Sequence, residues 1–320
     1  MRVPKGERGA ALLSVLLMVA VMATIAATAL DRLSVGTRLA VNAGGVGQAR
    51  SWLGVAELLT ETRIEDLLAA NTSKTTLAGG WMGTERNIAL PDGGVVRARV
   101  EDGGTCFNLN SLVEKRQDGR LTSRPTAVKQ FAALMMLLGV GEGEAMRIAA
   151  SASDHIDTDS YPLNGGAEDT GSSLSANQMM ADASELRTVP GLTDRHFGLM
   201  RRWICALPTT DLSAININTL LPEQAPLIAM LAPGKLDTAR ARALIASRPA
   251  SGYGSSSEVW QSPILAGAQQ LPEVSQQVQV KSSFFLLKAR VQSANIEVNE
   301  TALIDARDKP ARVIRRSWAE

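Results

Sequence analysis

Histidine and cysteine are scarce in this chain. Its 320 residues hold two of each: His155, His196, Cys106 and Cys205. Two histidines with no cysteine beside either are too few for an ordinary structural zinc site. Charge of one sign is also missing, because 33 Lys and Arg stand against 32 Asp and Glu, and neither sign forms a long run. This balance excludes the basic stripe of a nucleic-acid groove and gives no reason to expect an acidic substrate. No serine-rich stretch stands beside a histidine, and no Gly-rich strand–helix turn has the form of a phosphate loop. An enzyme is therefore not the expected class. The length leaves room for two domains, or for one elaborated domain besides an anchor.

The most informative absence is local: no charged residue occurs from Ala10 to Leu30. A helix of roughly 21 residues at about 1.5 Å rise is about 30 Å long, enough to cross a hydrocarbon core. Arg2, Lys5 and Arg8 precede it, with only Glu7 against them. The positive-inside bias keeps that short arm in the cytoplasm and puts everything after Leu30 outside. Three readings compete. The stretch is a permanent single-span anchor, or a secretory signal cut near Ala27-Thr28-Ala29, or a pilin-like segment whose leader is cut between Gly9 and Ala10. The apolar run is longer than the usual ~7–15-residue signal core, and no Pro or Gly precedes the outer cleavage site, which weighs against the secretory reading. Outside an inner membrane, Cys106 and Cys205 can be oxidised. One disulfide is the economical reading, and two buried free thiols are the alternative.

Beyond the apolar run the helical pattern continues to about Ala70. Gly44, Gly45 and Gly47 mark a weak point or hinge, at about 1 kcal/mol each relative to alanine. Trp52, Val55, Ala56 and Leu59 give the next apolar face, with Arg50, Glu57 and Glu61 on the wet side. Asn71–Gly80 reads as a loop. Residues 88–100 read as a hairpin turning at Asp92-Gly93-Gly94, and Cys106-Phe107-Asn108-Leu109-Asn110 follows a second turn. The asparagines suit side-chain bonds to turn backbone rather than catalysis. Residues 123–138 and 145–150 are helical, and a short helix over 177–186 leads into another that ends near Cys205. The Val189-Pro190-Gly191-Leu192 link, and a second unit opening at Ala214-Ile215-Asn216-Ile217-Asn218-Thr219-Leu220, have the form of helix-hairpin-helix or sterile-alpha-motif units. Basic residues are scarce there, so a protein-facing surface is expected rather than DNA contact. Residues 275–291, 294–300 and 311–318 read as closing antiparallel strands.

The segment from Asp154 to Asp169 carries the most chemistry. Asp154, Asp157, Asp159, Glu168 and Asp169 place five carboxylates within sixteen residues, around a Pro162-Leu163-Asn164-Gly165-Gly166 bend. Packed together unpaired, they would raise one another's pKa. Calcium removes the repulsion by taking ~6–8 oxygens from carboxylates, carbonyls and water. The alternative is a solvated acidic loop with Asp154 as a helix cap. No glutamate stands where an EF-hand requires it.

Three blocks carry a resemblance to a known family. Arg8-Gly9-Ala10-Ala11-Leu12-Leu13-Ser14-Val15-Leu16-Leu17 resembles the N-terminus of the K-type minor pseudopilins of bacterial type II secretion systems. Phe107-Asn108-Leu109-Asn110 resembles the residues that close the first strand block in that family. Asp154-x-x-Asp157-x-Asp159 followed by Gly166-Ala167-Glu168-Asp169 resembles its calcium-binding insert, with Asp157, Asp159, Glu168 and Asp169 at matching positions. His155 stands where the family has tryptophan, and Thr170–Ser173 lacks an aromatic, which leaves open one calcium ion or two.

The resemblance implies an α+β, pilin-like fold with a long N-terminal transmembrane helix, an antiparallel sheet and a large inserted α-helical domain. The divisions are a leader at 1–9, a span at 10–30, a pseudopilin helix and first strands at 31–110, the insert at 111–274 with its calcium loop at 154–169, and closing strands at 275–320. It implies processing by prepilin peptidase and a single-pass inner-membrane location with the bulk in the periplasm. The partners would be other minor pseudopilins in a hetero-oligomeric tip complex, with no nucleic acid. Pilins otherwise carry a glutamate five residues into the mature chain, and this chain has Ser14 there. A carboxylate at membrane depth is costly unless paired, and a subunit with none ahead of it has no partner for one. The implied role is the tip of the pseudopilus in protein export across the outer membrane. The rivals are a membrane-anchored helix-hairpin-helix DNA-binding protein and a calcium-dependent periplasmic hydrolase.

Overall fold

The computed structural model describes residues 7–167, 175–266, 272–293 and 296–319. Helix α1, Glu7–Ala70, runs 64 residues without a break. Five strands form one antiparallel sheet in the order β1-β2-β9-β10-β11: β1 is Arg86–Ala89, β2 Val95–Asp102, β9 Phe284–Ser293, β10 Ile296–Asp305 and β11 Arg312–Ala319. Between β2 and β9 the chain builds the insert. Its short strands are β3 (Phe107–Asn108), β4 (Val113–Lys115), β5 (Leu121–Ser123), β6 (Ile204–Cys205), β7 (Ile215–Asn216) and β8 (Val278–Gln279). Its helices are α2 (Pro125–Leu137), α3 (Glu142–Asp154), α4 (Asp194–Met200), α5 (Pro226–Ala229), α6 (Thr238–Ala246), α7 (Ser256–Trp260) and α8 (Pro272–Gln277). The α+β, pilin-like expectation holds.

The glycines do not break α1. Intrahelical hydrogen bonds carry it through Gly44, Gly45 and Gly47, and Gly45 has a packing reason. A Cβ there would lie 1.9 Å from Ile296 Cδ1, so glycine lets the start of β10 approach the helix. The buried stripe is also rotated from the expected one. Ala49, Leu53, Ala56, Ile64 and Leu68 face the sheet, meeting Val96, Phe285, Leu287, Ala289, Val291, Ala302 and Ile304. Val55 and Leu59 are 45% and 49% exposed, whereas Glu57 is buried. Counting only apolar residues misplaced the face, because the sheet offers polar partners. Arg316 Nε donates to Glu57 Oε1 at 2.6 Å, and the Val313 amide donates to Glu61 Oε1 at 2.7 Å.

The hairpin at residues 88–100 forms with its Gly93 in the left-handed region, and the closing strands pair as a meander. Two stretches differ from expectation. Phe107–Asn108 leaves the sheet and pairs in parallel with Ile204–Cys205 inside the insert. Residues 272–277 form α8, which presents Gln277 to Gln130 in the insert core, so the sheet resumes only at Phe284. The insert therefore reaches beyond 111–274 at both ends. Residues 177–182 are not helical. A 3₁₀ turn, Ala183–Thr188, begins where Asp182 and Glu185 form a capping box.

The insert holds two modules with the same opening. Phe107-Asn108-Leu109-Asn110-Ser111-Leu112 and Ile215-Asn216-Ile217-Asn218-Thr219-Leu220 each begin as a two-residue strand paired in parallel with the strand that ends the module, β6 or β8. In each, the first asparagine's Oδ1 accepts the second's backbone amide, at 3.2 and 2.9 Å. The second asparagine then clamps a distant residue through both backbone groups. Asn110 bonds the amide and carbonyl of Met180, and Asn218 those of Tyr253. The Cys106–Cys205 disulfide, with Cα atoms 5.8 Å apart, closes the first module across 99 residues. Closing a loop of that length removes about 4–5 kcal/mol of unfolded-state entropy. A stacked Phe107–Phe131 pair, ring centroids 4.9 Å apart, sits at the centre of this core.

The insert is mounted on the end of the sheet remote from the apolar N-terminal part of α1. Going along α1 toward its C-terminus, Gly45 meets Ile296, Glu57 meets Arg316, Glu61 meets Val313, and Glu65 accepts the Ala311 amide. Ser293 and Ile296 thus lie toward the apolar N-terminal part of α1, while Asp102, Phe284 and Asp305 lie at the far end. There Thr75, just beyond α1, donates its amide to Val280 O at 2.9 Å.

Glu300 lies under α1, 3% exposed, beside Glu57, and its Oε1 has no hydrogen-bond partner. Burial first, then the neighbouring Glu57 carboxylate, pushes its pKa up to about 7, with Arg316 opposing. Folding therefore favours protonated Glu300. That contribution is complete below about 4.5 and is lost as pH rises through about 7. Replacing Glu300→Gln should raise the melting temperature relative to wild type above that range and lose its advantage below it. Equal differences at both ends, measured by differential scanning fluorimetry, refute this reading of the pair.

Candidate functional site

The apolar N-terminal part of α1 has no packing partner among the described residues. From Ala11 onward its mean hydropathy reaches 2.4 over an 18-residue window, none of which is buried. Thr24 and Thr28 return their hydroxyls to the carbonyls of Val21 and Ile25, so these polar groups are satisfied within the helix. Gly9 and Ala10 lie in its first turns. Beyond the apolar run, Val55, Leu58 and Leu59 stay exposed, Leu58 at 64%. Leu59 also lines a groove of about 710 Å³ between α1 and the first strands, walled by Trp81, Ile88 and Val100.

The acidic segment begins where α3 ends. Asp154 is fully buried at the helix C-terminus, so it does not cap the start of a helix. Its carboxylate instead organises the loop that follows, accepting the Leu163 amide at 3.1 Å and the Ala167 amide. A Cβ on Gly166 would lie 1.9 Å from Asp154 Oδ2, so the loop closes onto the carboxylate only with glycine there. Burial, together with nearby Asp159, pushes the Asp154 pKa up, against those amides. Asp157 is also buried, and Asp159 is exposed with Oδ1 accepting the Tyr161 amide at 2.8 Å. The fold thus brings Asp154, Asp157 and Asp159 to one bend. Glu168 and Asp169 lie outside the described residues. Among the described residues no three acidic, histidine or cysteine side chains are grouped as metal ligands. His155 is buried against Thr188, and desolvation lowers its pKa while Glu185 opposes.

The helix-hairpin-helix-like segments use their charges internally. The N-terminus of α6 is filled by its own Asp237, whose Oδ1 accepts the Arg240 amide at 2.7 Å. Arg240 donates to the carbonyls of Lys235, Ile264 and Ala266, and Arg248 to those of Ile217 and Leu220. These arginines hold loops together rather than facing a phosphate backbone.

The residues that mount the insert escaped sequence reasoning. Asp102, at the end of β2, is buried and accepts from the Gly104 amide at 2.9 Å, Thr219 Oγ1 at 2.7 Å and Ser282 Oγ at 2.5 Å. Burial raises its pKa and the three donors oppose. Asn216 Nδ2 donates to Ser282 Oγ and Thr75 O. On the other flank, Arg315 of β11 donates to the carbonyls of Ala181 and Ala206. The one available signal was the echo of Asn108-x-Asn110-Ser111 in Asn216-x-Asn218-Thr219.

Comparison with known proteins is consistent across the chain. Residues 105–209 and 215–281 each match a family described as type II secretion system, protein K. The two matched segments coincide with the two modules. Protein K of Pectobacterium carotovorum is 31% identical over 98% of this chain and 96% of its own length. That of Aeromonas hydrophila is 31% identical over 97% and 96%. Among solved structures, the GspK-GspI-GspJ complex of the enterotoxigenic Escherichia coli type 2 secretion system contains a chain with a TM-score of 0.75. It is 30% identical and covers 85% of this chain and 96% of that one. The exposed apolar helix, the sheet it packs on and the two matched modules together place this chain in the protein K family of type II secretion systems.

Proposed function

We propose that this chain is a minor pseudopilin seated at the tip of the pseudopilus that works in protein export across the outer membrane. One observation carries the reading: the insert sits on the membrane-distal end of the sheet, over the end of α1, where a subunit stacked ahead would have to fit. Ser14 in place of a buried acid agrees, since a foremost helix has no amine ahead to pair with. Such a subunit is structural: its helix holds it in a bundle and its insert ends the bundle. The chain crosses the inner membrane once and keeps its bulk in the periplasm.

Prepilin peptidase removes residues 1–9 in this reading. Mass spectrometry of the protein from cells carrying that peptidase should find Ala10 as the first residue. An intact Met1, or a start near Asp31, refutes the processing.

The partners are other minor pseudopilins, of the kinds present with the Escherichia coli relative in its complex. Val55, Leu58, Leu59 and the adjoining groove receive their helices. Leu58→Asp should reduce co-purification with I- and J-type subunits about tenfold or more, given a charge forced into an apolar contact. It should leave the melting temperature unchanged, because the side chain is exposed. Undiminished co-purification rules out this face as the contact.

Calcium, one ion or two, is held by Asp157, Asp159, Glu168 and Asp169, with Asp154 bracing the bend through the Leu163 and Ala167 amides. The ion neutralises the carboxylates and stabilises the loop by binding only the folded state. Removing calcium with a chelator should lower the melting temperature. Asp169→Ala should lower it in calcium and not in chelator. Identical curves with and without the metal dismiss the site.

A further inference from the structure

A cleft of roughly 430 Å³ lies on the face of the sheet opposite α1, where the insert meets it. Its floor is apolar, formed by Leu286 and Leu303 of the sheet and Leu207 and Cys205 of the insert. Its mouth is cationic. Arg201 and Arg202, both exposed, make no side-chain hydrogen bond or ion pair with another described residue. The other charges in the cleft are already engaged: Lys288 with Glu101 at 2.7 Å, Arg315 with backbone carbonyls, and Asp102 with its three donors. Two positive charges are left uncompensated. The Thr105 hydroxyl, a further lining group, is buried and has no hydrogen-bond partner. A buried polar atom left alone costs about 1–3 kcal/mol.

An apolar floor, a lone buried hydroxyl and two free guanidiniums together suit one class of occupant. A small anion would satisfy the arginines and leave the floor exposed to water. A purely apolar segment would cover the floor and strand the arginines. An extended peptide with carboxylates flanking apolar side chains satisfies all three, its backbone reaching Thr105. The cleft also faces away from α1. When α1 is packed in a bundle of helices, this face looks outward, open to a protein outside the bundle.

We infer that this cleft binds an acidic, apolar-flanked peptide segment of another protein, with Arg201 and Arg202 reading the carboxylates and Thr105 the backbone. The probe is a fluorescein-labelled octapeptide alternating leucine and glutamate, titrated by anisotropy against the full chain in detergent micelles. Saturable binding is expected, weakened about tenfold or more in the Arg201→Glu/Arg202→Glu variant, and weakened by salt. Thr105→Val should weaken binding severalfold while the melting temperature of the free protein rises, because the variant removes a buried hydroxyl that has no partner there. An alternating leucine–lysine octapeptide should fail to bind. The inference falls if the glutamate peptide does not saturate or if the double charge reversal binds it equally well. It also falls if inorganic phosphate displaces it as effectively as unlabelled peptide, which would mark a simple anion site.

Discussion

Everything beyond the apolar run of α1 depends on how β2 stops. The chain leaves the sheet at Asp102 and returns at Phe284, and Asp102 stands opposite Phe285 in the ladder. A large insert thus hangs from two adjacent strand ends, and a pair of single-chain connections would leave it free to swing. Asp102 prevents that. One carboxylate, shielded from water, takes a hydroxyl from the second module, a hydroxyl from the segment leading back into β9, and an amide from the turn leading out. Each partner belongs to a different part of the junction. Removing the acid would leave the Ser282 hydroxyl without its acceptor and Thr219 with only the Asn216 carbonyl at the point where insert and sheet meet, the kind of loss that costs more than the bond itself contributed.

The same economy explains the modules. Each must close a long stretch of chain with little regular structure, and each does so by pairing its first two residues in parallel with its last strand. Two parallel residues contribute few hydrogen bonds, so the asparagine pair supplies the rest by replacing turn backbone with side-chain amide. The first module adds a disulfide beside its strand pair. The second has no disulfide; its Asn216 and Thr219 reach Ser282 and Asp102 directly.

Much of this architecture was legible in the sequence where local signals and tertiary needs agreed. The uncharged run to Leu30, the Asp92-Gly93-Gly94 hairpin, and the helix carrying Phe131, Leu134 and Met135 follow directly from periodicity and turn chemistry. The misreadings fall where they disagree. Gly44, Gly45 and Gly47 look like a break by propensity, yet Gly45 exists to admit Ile296. Glu57 looks like a solvated residue, yet Arg316 and Glu300 come from far along the chain to meet it. Phe107 and Asn108 look like part of a strand block, but their partner is 97 residues away by register, at Ile204 and Cys205. Propensity sees neighbours in sequence, and each of these positions is decided by a neighbour in space. For the acidic loop, composition identified the carboxylates, but it could not show that Asp154 would turn inward to hold Leu163 and Ala167 while Asp159 stayed in solvent.

The sheet has two faces with different duties, and this follows from where its charges lie. On the α1 side the helix supplies the polar partners, Glu57 with Arg316, Glu61 and Glu65 with backbone amides at Val313 and Ala311, and it packs on that face beside the groove at β1 and β2. The opposite side carries Arg97, Arg99, Lys288 and Arg290 interleaved with Glu85, Glu101 and Glu297, a mixed lattice that satisfies itself without a partner. At its distal end the lattice stops and the Leu207–Phe284–Leu303 seam begins, where the insert bends over the sheet. A helix that joins a bundle on one side leaves the other side open to solvent. The insert is held at the strand ends through Asp102, by Arg315 of β11 and along the Leu207–Phe284–Leu303 seam, and the charged lattice on the rest of that outer face stays uncovered by it.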